Sequence, residues 1–214
     1  TENDNIAIGY QAMTTNTAGG TSNIAFGNYA LDALKSGDEN IAIGLNTLGA
    51  NTTASYNIGI GTSALLTNST GAENVAVGFS ALKLNATTSQ NTAVGHDALR
   101  NNIAVQNTAV GHSALNANTT GAENVAVGYQ SMLTNTTGAD NTAIGLKTLT
   151  LNTTGGSNTA VGLQALQNNT TGDGNIAVGR NAMQANTTGT RNTAIGYTAY
   201  DASDTENDNL AIGY

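Results

Sequence analysis

Cysteine, proline and tryptophan are all missing from this 214-residue chain. The lack of cysteine rules out a disulfide framework, so the fold needs no oxidising compartment and tolerates one. Charged residues make up only 9% and aromatics 4%. The six Lys and Arg residues stand singly in a chain of net charge −8, so no basic stripe exists to meet phosphate and nucleic acid is excluded as a partner. The longest apolar run is a few residues, too short for insertion into a membrane. The chain opens at Thr1 rather than Met and shows no signal peptide, as expected of a mature product or a segment of something longer. Nothing assembles for catalysis. Acids are few, no histidine has an apparent partner in sequence, and no nucleophile motif such as G-x-S-x-G occurs. The expectation is a non-enzyme without a cofactor.

Asn, Thr, Ala and Gly are present in abundance, and they are ordered. A pentad of the form Asn107-Thr108-Ala109-Val110-Gly111 begins at Asn5, Asn23, Asn40, Asn57, Asn74, Asn91, Asn107, Asn124, Asn141, Asn158, Asn175, Asn192 and Asn209. Asn and Gly hold the first and fifth places throughout, and Gly59 is the one exception to Ala at the third. Successive copies start 17 residues apart, apart from one interval of 18 (Asn5 to Asn23) and one of 16 (Asn91 to Asn107). So short a fixed period marks a solenoid, in which each coil contacts mainly its neighbours. The expected fold class is therefore all-β: a parallel β-solenoid, or β-roll, of 12 coils plus a partial one, forming a single repeat array over residues 1–214.

The pentad reads as a strand, with its second and fourth side chains on one face and its third on the other. The β-branched residues, Val125 and Val127 or Ile6 and Ile8, are expected to face the coil interior. The third-place residues Ala7, Ala25, Ala42, Ala76, Ala93, Ala109, Ala126, Ala143, Ala160, Ala177, Ala194 and Ala211 would then point outward. A column of small residues implies a close neighbour. Two neighbours fit, a second wall of the same coil or an adjacent subunit, and the subunit interface is the expectation taken forward. After the glycine, the ninth place is Leu or Met in eleven coils (Leu31, Leu48, Leu65, Leu82, Leu99, Leu115, Leu149 and Leu166 among them) and Tyr200 in the twelfth. This column should form the second half of the core, each buried Leu contributing about 1.5–3 kcal/mol. The segment around it reads equally as a short strand or a single helical turn. An N-T-T-G corner follows at Asn118, Asn135, Asn152, Asn169 and Asn186. Asparagines in register there, and at the first place, can stack as amide ladders. The extra and missing residues fall in corners, Asn16 to Ser22 and Asn101 to Gln106, outside the core column.

The pentads N-I-A-I-G and N-V-A-V-G, followed by a small-residue segment and a glycine corner, resemble the head repeats of trimeric autotransporter adhesins. Similar repeats occur in phage tail fibres. The resemblance implies a left-handed parallel β-roll, assembled as a homotrimer and displayed on a bacterial cell surface or a virion. The coil here is longer than the usual head repeat.

Candidate sites are few. His96 and His112 share the sixth place of successive coils with Phe79, Tyr129, Tyr197 and Tyr214, which reads as a ladder of flat side chains rather than a metal site. Asp201, Asp204, Glu206 and Asp208 crowd the last corner, and Glu2 and Asp4 echo it. Calcium favours such oxygen-rich loops, but no glycine-rich calcium repeat or EF-hand spacing is present, so a solvated acidic corner is the preferred reading and calcium the weaker one. The N-x-Ser/Thr sequons between Asn51 and Asn186 arise from the corner repeat itself. Ten residues from Thr1 recur from Thr205 with only Ile6 against Leu210 differing, which suits end-to-end polymerisation. The functional expectation is the rigid rod of an extracellular fibre. The alternatives are an adhesin head or tail-fibre segment binding a surface receptor and, more weakly, an ice-binding solenoid, which inward-facing second-place threonines would oppose.

Overall fold

A computed structural model describes residues 4–16, 18–202 and 204–214. Two compact units, Thr1–Gln106 and Asn107–Tyr214, are built from the same coil. The first holds β1 (Ile6–Ile8), β2 (Ile24–Phe26), β3 (Ile41–Ile43), β4 (Ile58–Ile60), β5 (Val75–Val77) and β6 (Thr92–Val94). The second holds β7 (Thr108–Val110), β8 (Val125–Val127), β9 (Thr142–Ile144), β10 (Thr159–Val161), β11 (Ile176–Val178), β12 (Thr193–Ile195) and β13 (Leu210–Ile212). Within each unit every strand pairs in parallel with the next in sequence, place for place, as in Ile41↔Ile58 and Val125↔Thr142. The fold is thus the expected parallel β-solenoid of about 17 residues per coil. Its strands are only three residues long because the fifth-place glycine ends each one. Gly128 has φ +135°, and a Cβ there would lie 2.2 Å from the carbonyl oxygen of Gly145.

The facing of the strands is the reverse of the expectation. In the strands between β1 and β13 the third place is buried while the second and fourth are half-buried or exposed. Ala25, Ala42, Ala76, Ala93, Ala109, Ala126, Ala143, Ala160, Ala177 and Ala194 are all fully buried within their own chain. Ala7 and Ala211, in the terminal strands, are exposed and half-buried. The close neighbour is the second wall of the same coil. A Cβ on Gly59 would lie 2.6 Å from Thr47 Cγ2 and 3.5 Å from Leu48 Cδ1, the eighth and ninth places opposite. So narrow an interior admits only a methyl from the strand side. These ten inner alanines are core and offer no surface to a neighbouring subunit.

The opposite wall is neither a strand nor a helix. Each coil runs through consecutive turns here, tied to its neighbours by bonds such as Leu48 N to Ala64 O (3.0 Å) and Asn46 N to Asn28 O (3.0 Å). Left-handed residues make this path. Positive φ recurs at the seventh, ninth and seventeenth places, as at Ser113 (56°), Leu115 (50°) and Glu123 (59°). The ninth-place column is core as expected, with Leu115, Leu149, Met132 and Met183 fully buried. No Ile or Val stands in it, because a β-branched residue is strained at positive φ. Leu115→Ile should therefore cost about 1–3 kcal/mol in urea denaturation despite its equal volume, and Leu115→Met less than about 1.5 kcal/mol. Equal costs would show that the backbone places no demand on this column.

Two asparagine ladders complete the interior. First-place residues link coil to coil, with Asn141 Nδ2 donating to Asn124 Oδ1 at 3.1 Å. Corner residues do the same, with Asn152 Nδ2 donating to Asn135 Oδ1 at 2.8 Å. Both ladders converge on one buried carbonyl per coil. Gly138 O accepts from Asn124 Nδ2 and Asn135 Nδ2, each at 2.9 Å. The shortened corner keeps this arrangement, since Ala104 O still accepts from Asn91 and Asn102 at 3.0 and 2.7 Å. Buried carboxamides satisfied in this way contribute stability rather than cost it. The corner sequon asparagines, from Asn51 to Asn186, are buried as well.

Candidate interaction surface

Because the alanines turn inward, the outer sheet face carries the second- and fourth-place side chains. In the first unit it presents Ile24, Phe26, Ile41, Ile43, Ile58 and Ile60, with Phe26 54% exposed. In the second it presents Thr142, Ile144, Thr159, Val161, Thr193 and Ile195, with Ile144 41% exposed. Every residue on this face is Ile, Val, Leu, Phe or Thr, and none is charged. A soluble monomer seldom exposes a contiguous apolar surface that runs the length of its sheet. The second-place threonines face outward, so the argument that set ice binding aside does not hold.

The sixth place, just past the glycine, borders this face with the expected ladder of flat side chains. In the first unit, Phe79 stacks on His96 at 5.0 Å between centroids. In the second, His112 stacks on Tyr129 at 5.5 Å and Tyr197 on Tyr214 at 5.5 Å, with Arg180 5.6 Å from the Tyr197 ring centroid. Each histidine also has a polar neighbour that sequence reasoning missed: Asp97 Oδ2 lies 3.2 Å from His96 Nδ1, and Ser113 Oγ 2.9 Å from His112 Nδ1.

The acids of the last corner go to separate partners or to solvent. Arg191 engages Asp208 through Nε to Oδ1 at 2.6 Å and through its terminal nitrogen to Oδ2 at 2.8 Å. These hydrogen bonds, helped by the guanidinium charge, hold the Asp208 carboxyl below the usual carboxylate range. Glu206 accepts from the Tyr200 hydroxyl at 3.2 Å, and Asp201 and Asp204 are exposed. Among the described residues no group of three or more His, Asp or Glu side chains is placed to hold a metal ion. Glu2 lies outside the described residues. No described helix is long and apolar enough to cross a membrane. Compared with known proteins, the chain matches no family model, no curated protein and no solved structure.

Proposed function

We propose that this chain is a non-enzymatic structural rod, part of an extracellular fibre or filament, that packs against further copies of itself through its outer sheet face. The charge-free row of Ile, Val and Thr carries the reading. The row repeats once per coil, about 4.8 Å in a parallel ladder, and a second copy of this chain is the one surface certain to share that period. The fourteen acidic residues lie outside the row, so like charge on the mating face does not oppose association. The resemblance to adhesin head repeats favours three copies and display on a bacterial surface or a virion. It also supports the variant of this reading in which the rod is an adhesin head or tail-fibre segment.

Light scattering and negative-stain imaging test the proposal. Wild-type protein should form discrete oligomers or filaments, and the double variant Ile43→Lys, Ile144→Lys should give monomers with an unchanged circular dichroism spectrum. A wild type that stays monomeric at its highest soluble concentration would sink it. The outward Thr92, Thr108, Thr142, Thr159 and Thr193 favour a second reading, in which the flat Thr-and-apolar face orders water and binds ice. Thermal hysteresis in a monomeric wild type, abolished by the same double variant, would select that reading.

A further inference from the structure

Several departures from the repeat meet on the first unit. Tyr29 is the one aromatic at the seventh place of any coil, and Gly49 the one glycine at the tenth. With Asp32, Asn46, Leu66 and Thr67 they line an open notch of about 360 Å³. Gly49 makes the notch. A Cβ there would stand 3.5 Å from the Asn46 carbonyl oxygen, 3.6 Å from the Tyr29 carbonyl oxygen and 3.7 Å from Leu66 Cδ1. Other coils fill the same place with Leu66, Lys83 or Gln167, whereas here two carbonyl oxygens lie beside the gap.

The walls are held in place. Tyr10 packs edge-on against the Tyr29 ring, 5.6 Å between centroids at 82°. Asp32 Oδ1 accepts a hydrogen bond from Thr14 Oγ1. The lining joins a carboxylate, two carbonyl oxygens, an aromatic ring and an apolar Leu66, and it includes no Lys, Arg or His.

We infer that this notch binds a primary ammonium group carried on an aliphatic stem. An ammonium offers three donors and no acceptor, the complement of a site built from acceptors. The Tyr29 ring attracts a cation over its face, the Asp32 carboxylate supplies the opposite charge, and the stem lies along Leu66. A free alkylamine and a lysine side chain of another protein share this chemistry. None of the notch residues belongs to the second or fourth places on which the rod reading rests, so the two readings fail independently.

The test is an NMR titration of the ¹⁵N-labelled full chain with n-butylammonium chloride and, in a second arm, with a blocked lysine tripeptide. Neutral n-butanol and methyl glucoside serve as controls. Saturable shifts at Tyr29, Asp32 and Gly49 are expected with the amines and not with the controls, and the tighter amine names the source. Asp32→Asn should weaken binding at least about tenfold, as loss of the charge pairing requires. Gly49→Ala meets only ordinary contacts and no positive φ, so it should leave Tm unchanged while filling the notch and weakening binding at least about tenfold. The inference is overturned if neither amine gives saturable shifts, if either variant binds as tightly as wild type, or if methyl glucoside binds as tightly as the amines.

Discussion

Ala126→Glu should destabilise the protein by on the order of 4 kcal/mol or more, the range for an unpaired charge forced into a packed interior. Ala126 is fully buried and faces the opposite wall of its own coil, where a methyl is all that fits. The glutamate must either neutralise, overpack the coil or drag the strand out, and each route is costly. Val127→Glu, one residue on, points to the outer face and should change stability by less than about 1 kcal/mol. It should instead weaken self-association. Urea denaturation, with light scattering in parallel, separates the two effects. A Val127→Glu variant less stable than Ala126→Glu would reverse the assignment of inside and outside.

That assignment was the part of the fold the sequence did not yield. The period, the strands, the buried Leu31-to-Leu166 column and the amide ladders were all legible, because each depends only on a residue type recurring in register. Alternation along a three-residue strand says that Val125 and Val127 share a face and that Ala126 opposes them. It does not say which face is inside. Bulk suggested that valines fill the core, but Leu115 and Met132, with Asn118 and Asn135, already occupy that space. The small-residue column did report a close neighbour correctly; the neighbour was the chain itself. A second signal went unread: the seventh, ninth and seventeenth places are almost free of β-branched residues, which marks left-handed backbone and excludes both the second strand and the helical turn. In the acidic corner, register from coil to coil decides more than closeness in sequence. Asp201 to Asp208 are close in sequence, yet Arg191 of the preceding coil claims Asp208. The notch left two traces, Gly49 as a missing side chain in an otherwise filled column and Tyr29 as the one aromatic at the seventh place.

Asn135→Asp should cost on the order of 5 kcal/mol at neutral pH, although it changes a single atom of the side chain. Asn135 Nδ2 donates to Asn118 Oδ1 at 2.8 Å and to Gly138 O at 2.9 Å, while its own Oδ1 accepts from Asn152 Nδ2. An aspartate keeps the acceptor and loses both donations, and its charge is set against two oxygens with no solvent to screen it. The lost donation to Asn118 Oδ1 costs about 1–3 kcal/mol, and the buried anion adds the larger share. Burial raises the new carboxyl above its unfolded value of about 3.9, so the defect should grow as pH rises through that value and shrink below it. Asn135→Leu should be much milder, about 1–3 kcal/mol. The chain already carries a leucine at this corner place, Leu34, fully buried, and in the variant Gly138 O would still receive Asn124 Nδ2 at 2.9 Å. Because a solenoid is stabilised coil by coil, amide hydrogen exchange in Asn135→Asp should rise within the coils flanking Asn135 and not throughout the second unit. If aspartate and leucine cost the same, or if protection falls evenly across the unit, the asparagine ladder is a filler of space and not the polar spine that holds one coil to the next.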